Sequence, residues 1–204
     1  MVTKKKVVTL SANTSWYLYN FRKSTIDRFI KDGYEVFCIA PKDAHTKKLK
    51  DLGCNWFDLK MNNQGHNPFK DLVIIFRLFY IYTKLKPVVA FHFTVKNNIY
   101  GTWASFFSNT PAVNNISGLG TAFIKKGFLS FIVKILYRLS QPMAKRVYSQ
   151  NIEDFNLLAN KKIISRKKLF LLPGSGVDIN KFKPNFNSKK VNTFRFFFVG
   201  RILV

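Results

Sequence analysis

The sequence predicts an α/β fold with a mostly parallel sheet and helices on both faces. Short apolar runs alternate along the chain with longer stretches of helical periodicity, and this alternation is typical of parallel sheets covered on both sides. Hydrophobic residues make up 47% of the 204 residues and include 22 phenylalanines, which is enough apolar material for a core. At roughly 100 to 200 residues per domain, this length fits one domain, or one domain and the start of a second.

Each predicted element is an apolar run or a helical pattern bounded by breaking residues. Strands are expected at 6–12, 35–40, 55–61, 88–94, 112–116, 147–149 and 168–172. Helices are expected at 20–31, 46–52, 69–86, 98–107 and 123–140, and a polar helix headed by Glu153 and Asp154 precedes the last strand. Gly33, Gly53 and Pro87 follow the first three helices, where such residues end helices.

The predicted topology indicates where the chemistry lies. In open α/β sheets, ligands bind in the crevice outside the carboxyl ends of the strands. The loops after Ala12, Ala40, Thr94 and Ile116 are therefore the expected site loops.

The end of the chain differs from the rest in composition. We expect one unit at 1–184, a polar and basic linker at 185–193, and the first strand of a second unit within 194–204. The apolar run at 194–199 carries that last prediction, and the remainder of the second unit is missing.

The charge restricts the partners. The chain has 34 basic and 10 acidic residues, a net charge of +24, which favours an anionic partner. Nucleic acid, an anionic membrane surface and phosphorylated small molecules all fit this excess. Cys38 and Cys54 are too few for a disulfide framework or a metal site, which favours a reducing compartment.

No segment is expected to cross a membrane. The longest apolar stretch, 72–82, is interrupted by Arg77 and falls well short of the ~20 residues that a bilayer requires. The apolar run 7–10 is too short for a secretory signal. We therefore expect a cytoplasmic chain that can attach to a membrane surface.

Basic residues near the third and fifth helices predict such attachment. No acidic residue lies between Asp71 and Glu153. The expected membrane-surface cations are Lys125, Lys126, Lys134, Arg138 and Lys145, and the last three follow one helical stripe flanked by apolar residues. Basic and aromatic amphipathic helices suit the headgroup region of an anionic bilayer. The alternative is that the apolar residues face the core while the cations are simply solvated.

Four stretches carry a resemblance to a known family. They are TVKNNIYG at 94–101, NISGLGTAF at 115–123, LPGSGVD at 172–178 and FVGR at 198–201. Each is weak alone, but their order and spacing are specific. The chain resembles the amino-terminal, acceptor-side lobe of family 4 glycosyltransferases, which have the two-lobed GT-B architecture of Rossmann-like sheets. It is similar to the types that build bacterial surface polysaccharides and lipid-linked oligosaccharides.

The resemblance implies a retaining transfer of a sugar from a nucleotide sugar to a lipid-linked or cell-surface saccharide acceptor. In this family the acceptor contacts lie mainly in the present lobe. The donor lobe carries two glutamates separated by seven positions, and this chain contains no such pair. The chain is thus expected to be inactive alone, with a nucleotide sugar as co-substrate of the complete enzyme and with no cofactor or metal implied.

Several loop residues are candidate substrate ligands. Asn13 follows the first strand, where the resemblance implies an unusual backbone conformation that glycine usually provides, although an ordinary turn fits equally. Thr94 and Lys96 belong to the first of the four stretches. Gly118 and Gly120 open a basic helix, where N–H groups can face phosphate or saccharide oxygens, or form a plain tight turn.

Two further residues are candidates by resemblance. His92 lies near the end of the fourth strand, where related enzymes often carry a histidine close to the reacting sugar, so we expect a catalytic role; a structural histidine is the alternative. Arg201 matches the family's arginine for the donor phosphate.

Three functions remain open from the sequence. The first is the acceptor-side lobe of a glycosyltransferase on the inner face of the plasma membrane, with a lipid-linked or saccharide acceptor as partner. The second is a non-catalytic acceptor-binding subunit that recruits a separate donor-lobe chain. The third, nucleic-acid binding, rests on charge alone, and without a reading helix or stacking motif we expect no nucleic-acid partner.

Overall fold

The protein contains one seven-stranded parallel sheet, which confirms the predicted α/β class. The computed structural model describes residues 5–61, 68–119, 127–184, 193–194 and 196–199. The strands lie in the order β3-β2-β1-β4-β5-β6-β7, and every neighbouring pair is parallel. They are β1 Val7–Ser11, β2 Glu35–Ala40, β3 Asn55–Asp58, β4 Val89–Phe93, β5 Ala112–Ile116, β6 Arg146–Ser149 and β7 Leu169–Leu171.

Helices connect these strands. They are α1 Ser15–Lys31, α2 Thr46–Asp51, α3 Pro68–Leu85, α4 Thr102–Phe107, α5 Phe128–Ser140 and α6 Ile152–Asn160. A π-helical turn, Asn97–Gly101, leads into α4, and a 3-10 turn, Gln141–Met143, follows α5. Most predicted boundaries are confirmed to within a few residues. Helix α1 begins earlier than expected because the Thr14 side chain caps it, accepting a hydrogen bond of 3.0 Å from the Tyr17 N–H.

Two apolar cores show that helices cover both faces of the sheet. One core packs Leu18 and Ile26 of α1 with Leu49 of α2. The other contains side chains from α3, α4, α5 and α6, among them Leu78, Ala104, Tyr137 and Leu158. Because every crossover between parallel strands is expected to be right-handed, strands added on opposite sides of β1 place their helices on opposite faces.

The strand order reverses beside β1. The chain proceeds from β1 outward to β2 and β3, and then crosses back to β4 on the other side of β1. Such a reversal opens a crevice at the carboxyl ends of the two central strands. Asn13, just beyond β1, and Thr94, just beyond β4, lie at this edge.

The two cysteines lie near the β2–β3 edge. Cys38 and Cys54 are free and buried, with their sulfur atoms 3.5 Å apart. The Cys54 thiol also donates to the Leu49 carbonyl oxygen at 2.7 Å.

The predicted strand after the linker does not form. Residues 194 and 196–199 pair with no strand. Their side chains are almost fully exposed, with Phe194 at 86% and Val199 at 91%. A strand requires a hydrogen-bonded neighbour, and none of the seven described strands pairs with this segment. The domain boundaries at 184 and 193 remain predictions.

Candidate functional site

A cleft opens at the carboxyl edge of the central strands. Its volume is about 250 Å³, and residues from the loops after β1, β4 and β5 line it: Asn13, Thr94, Val95, Lys96, Asn98, Ser117 and Gly118. The fold thus brings together four of the predicted ligands, which are Asn13, Thr94, Lys96 and Gly118. Gly120, Lys125, Lys126 and Arg201 lie outside the described residues.

Strained backbone marks the loop after β4. Thr94 has φ +73°, a left-handed conformation that is unfavourable for a β-branched residue and costs on the order of 1–3 kcal/mol. Its hydroxyl accepts a hydrogen bond of 3.1 Å from the Asn97 side chain, and its carbonyl accepts one of 2.9 Å from the Asn98 N–H. Asn13 is not among the residues with positive φ, so the unusual conformation at this edge belongs to Thr94 instead.

Lys96 is fixed in the cleft wall by Asp71 of α3. The Lys96 ammonium lies 2.6 Å from Asp71 Oδ1, and the Tyr100 hydroxyl donates to Asp71 Oδ2 at 2.8 Å. The two paired side chains are only 16% and 11% exposed. Burial, together with the Asp71 carboxylate, raises the pKa of the Tyr100 phenol. A cation therefore reaches the cleft in one held position.

The sequence did not predict the role of Asp71. It is the only acidic residue of α3 and the last one before the long basic segment. This isolated position was the signal in the sequence that could have indicated an ion pair. Its partner Lys96 is 25 positions away, and only the crossover from α3 through β4 brings them together.

One N–H group of the glycine loop after β5 is engaged within the protein, and the predicted ligand role of Gly118 remains a prediction. The Leu119 N–H donates to Asp154 Oδ2 at 3.1 Å, so this N–H is already occupied. Asn151 positions that carboxylate, since its amide donates to the same oxygen at 2.8 Å. Ser117 and Gly118 themselves remain exposed at the cleft. The loop therefore offers the Ser117 hydroxyl to a ligand, while its Leu119 N–H secures it to α6.

His92 is inside the core rather than at the cleft. It has no exposed surface, and burial lowers its pKa to about 4, partly opposed by the hydrogen bond to Asn114. Its Nδ1 lies 2.8 Å from Asn114 Oδ1, and its Nε2 lies 3.0 Å from the Tyr82 hydroxyl. A neutral ring with both nitrogens engaged has no position open to a substrate. We therefore propose a structural role for His92 in place of the predicted catalytic one.

The ring of His92 also explains the glycine that ends the π-helical turn. A Cβ at Gly101 would lie 2.6 Å from the His92 ring, closer than atoms can approach. Asn114 extends the same polar network, donating to Thr102 Oγ1 at 2.7 Å and to Gln141 Oε1 at 2.6 Å. This network holds the β4–α4 connection, and hence one wall of the cleft, in place.

Helices α3 and α5 expose apolar side chains that the cores do not use. We call these side chains the outer apolar face: Leu72, Val73, Phe76 and Tyr80 of α3, and Phe131, Ile135 and Leu139 of α5. Arg138 of α5 and Lys145, which lies just before β6, are also exposed, and Lys134 of α5 is half-buried. Val133 and Tyr137 provide the core face of α5. Core packing therefore accounts for only part of the apolar surface of these two helices.

The described ranges contain neither a membrane-spanning helix nor a metal-binding cluster. No helix there combines the length and the apolar character that a bilayer span requires. Across the same part of the chain, no group of three or more His, Cys, Asp or Glu side chains is arranged to hold a metal ion.

Comparison with known proteins gives a relative of defined activity. The chain is 28% identical over 178 aligned residues to the N,N'-diacetylbacillosaminyl-diphospho-undecaprenol alpha-1,3-N-acetylgalactosaminyltransferase of Campylobacter jejuni. The match covers 82% of this chain and 46% of that relative, so the chain spans about half the relative's length.

Solved structures share the fold at low identity. A glycosyltransferase from Rickettsia africae superposes with a TM-score of 0.64 at 16% identity, covering 91% of this chain and 47% of that one. Anabaena Alr3699/HepE, solved with UDP and glucose, gives a TM-score of 0.61 at 13% identity, covering 89% and 47%. The sheet is thus one lobe of a GT-B fold. The profile of the family described as "Glycosyl transferase 4-like" matches residues 6–151, well over half of the chain, so this protein belongs to that family.

Proposed function

We propose that this chain is the acceptor-side lobe of a retaining glycosyltransferase that moves a sugar from a nucleotide sugar to a lipid-linked saccharide. One observation carries the proposal: in a chain of this family, the cleft at the strand-order reversal unites Asn13, Thr94 and Lys96. The Campylobacter relative is named for a diphospho-undecaprenol acceptor, which supports the choice of acceptor class.

The cleft has the groups that an acceptor saccharide requires. The Asn13 amide and the Ser117 hydroxyl can each donate and accept hydrogen bonds with sugar hydroxyls. The Lys96 ammonium, whose charge is paired with Asp71, can still donate a hydrogen bond to a sugar oxygen. These groups bind and orient the acceptor, and orientation is itself a large contribution to the rate of group transfer.

We propose that residues 1–204 do not transfer sugar by themselves. No carboxylate is among the described residues that line the cleft, and Asp71 behind its wall is already engaged by Lys96 and Tyr100. A donor-binding lobe, whether part of a longer chain or a separate one, would provide the nucleotide-sugar site. The exposed apolar segment at 194 and 196–199 supports this, because packing against such a lobe would bury it.

We also propose that the outer apolar face rests on an anionic membrane. Exposed aromatic side chains of α3 and α5 would enter the headgroup region, while Lys134, Arg138 and Lys145 contact anionic lipids. Each cation near such a surface adds about 1 kcal/mol. A lipid-linked acceptor would place the enzyme on the inner face of the plasma membrane.

The non-catalytic subunit is the second candidate function. It shares the cleft and differs only in where the donor lobe resides. The exposed phenylalanines at 194 and 196–198 favour it as much as they favour a longer chain. Nucleic-acid binding is not proposed, because the cations beside the outer apolar face accompany exposed apolar residues rather than a reading element.

Calorimetric titration with a soluble, short-chain isoprenyl-diphosphate-linked saccharide tests the proposal. Binding is expected, and Asn13→Ala should weaken it about tenfold, which corresponds to the loss of one or two hydrogen bonds. Asn55→Ala, the same substitution at the amino end of β3, is the matched control and should bind like the native chain. Absence of binding, or equal loss in both variants, would refute the proposed function.

A further inference from the structure

Arg22 is a buried cation on the second turn of α1. Its side chain is only 6% exposed. The guanidinium carbon lies 4.4 Å from the centre of the Phe93 ring and 5.5 Å from that of Tyr17. Phe93 ends β4 and directly precedes Thr94 of the cleft, so Arg22 approaches the carboxyl edge of the sheet from the α1 side.

The hydrogen bonds of Arg22 leave it without a counter-charge. Its Nη2 donates to the Tyr17 hydroxyl at 2.8 Å and to the Ser175 hydroxyl at 3.2 Å. Its Nε is buried and has no acceptor among the described residues. The ion pairs in that part of the chain join other residues: Arg28 with Asp32, His45 with Asp43, and Lys96 with Asp71.

Neutral polar side chains extend from the Arg22 guanidinium along the carboxyl edge of the sheet. The Gln150 amide donates to Ser175 Oγ at 3.0 Å and to Asn115 Oδ1 at 3.1 Å. Ser175 lies between Gly174 and Gly176, whose φ angles are +82° and +72°. A polar chain therefore runs from α1 through the 174–176 loop to β5, and it contains one positive charge and no negative charge.

A buried charge is costly unless an opposite charge or several hydrogen bonds compensate it. Stacking on two rings compensates part of the cost, but the Nε donor remains unused. The planar fork of arginine matches phosphate oxygens in both charge and geometry. An anion would supply the counter-charge that no described residue provides.

We propose that Arg22, with the Ser175 and Tyr17 hydroxyls, forms an anion site for a phosphate group beside the cleft. The inference rests on the proposed function only for the origin of that phosphate. The phosphate belongs either to the diphosphate of a nucleotide sugar or to the diphosphate of a lipid-linked acceptor. Because Arg22 does not line the cleft itself, this site is separate from the contacts of Asn13 and Lys96.

Thermal unfolding in rising concentrations of inorganic pyrophosphate tests the site. A ligand that binds only the folded state raises Tm with its concentration. Arg22→Met keeps much of the volume and removes the charge, while Arg28→Met makes the same change on the exposed face of the same helix. We expect pyrophosphate to raise the Tm of the native chain and of Arg28→Met equally, and to leave the Tm of Arg22→Met unchanged.

The stability of the variants without ligand shows whether Arg22 serves an anion site or only holds the structure together. Removing an uncompensated buried charge is neutral or stabilising, so Arg22→Met should unfold at a Tm no lower than that of the native chain. A pyrophosphate response in Arg22→Met equal to the native one would overturn the proposal. If Arg22→Met fails to fold, Arg22→Lys decides: about tenfold weaker pyrophosphate binding supports the site, and unchanged binding overturns it.

Two more titrations identify the source of the phosphate. UDP and a short isoprenyl diphosphate are each compared for a Tm gain that depends on Arg22, and the stronger response assigns the source. Asn13→Ala distinguishes failure of this inference from failure of the proposed function. It should retain the pyrophosphate response while losing saccharide affinity, whereas loss of both would mean that there is one anion site in the cleft and would overturn the separate site.

Discussion

Lys96 and Arg22 both bring a positive charge to the carboxyl edge of the sheet, but their surroundings differ. Lys96 has a carboxylate at 2.6 Å, and a tyrosine hydroxyl binds the other oxygen of that carboxylate. Arg22 has two aromatic rings and two hydroxyls, and no carboxylate of the described segments pairs with it. The protein neutralises the first cation with its own residues and leaves the second to be neutralised by something else. The first is thus expected to hold the structure together, and the second to respond to a ligand.

The largest expected effect comes from breaking the Lys96 pair. Lys96→Met leaves Asp71 nearly buried without its cation, which should cost about 3 kcal/mol of unfolding free energy. Adding Asp71→Asn should recover part of the loss, because the uncompensated charge is then gone. Urea unfolding of the single and double variants measures both changes. If Lys96→Met were as stable as the native chain, the two cations would not differ as described.

His92 is a third buried basic residue, and it differs from Lys96 and Arg22 because its side chain is uncharged. Its pKa in the folded state is about 4, against 6.5 for an unperturbed histidine. Between these values the unfolded chain binds a proton that the folded chain does not, so stability falls as pH decreases from about 6.5 to 4. The loss should reach on the order of 3 kcal/mol.

The contribution of His92 is measured as a difference. Urea unfolding at several pH values is compared for the native chain and His92→Gln, because other groups also titrate in this range. The native chain should show the steeper pH dependence below pH 6.5. Parallel curves for the two proteins would mean that the ring is not held neutral by burial.

Gly101→Ala tests the packing that surrounds this neutral ring. The added methyl group would lie 2.6 Å from the His92 ring, in a core with no space for it. Overpacking of this kind costs about 1–3 kcal/mol. Gly118→Ala, which meets no atom within 4 Å, is the matched control and should leave stability nearly unchanged. A fully stable Gly101→Ala would contradict the proposed close packing of β4 against the π-helical turn.

The smallest expected effect concerns the outer apolar face. Replacing Arg138 and Lys145 by Gln should weaken binding to anionic vesicles roughly fivefold for each cation, equivalent to about 1 kcal/mol. Lys31 and Lys47, exposed on α1 and α2, provide the control pair with the same change in net charge. Vesicle co-sedimentation should show a loss only for the first pair. Equal losses would indicate attraction by net charge alone and no oriented docking.

The sequence was sufficient for the order of the elements and for the loops that form the cleft. Alternating apolar runs and breakers such as Gly33 and Gly53 are local signals, and both glycines adopt the expected positive φ. Residues near the carboxyl ends of β1, β4 and β5 meet because parallel strands share one edge. That rule, together with the family resemblance, predicted the grouping of Asn13, Thr94 and Gly118, whereas the loop after Ala40, which the rule also predicted, does not line the described cleft.

What the sequence did not show depends on packing between distant segments. His92 lies at the end of a strand, but only the structure shows that α3 and β5 enclose it. The isolation of Arg22 is likewise visible only once the absence of a nearby carboxylate among the described residues is known. The Thr14 cap is a local signal for the start of α1. The prediction followed the apolar pattern instead and placed the start later, at residue 20.

Hydrogen exchange with and without the short-chain saccharide diphosphate tests the central claim most directly. Bound acceptor should slow exchange of backbone N–H groups in the loops after β1, β4 and β5, around Asn13, Val95 and Ser117, and leave the amino edge of the sheet unchanged. Protection confined to other surfaces, or no protection at a concentration that saturates binding, would contradict the assignment of this cleft as the acceptor site.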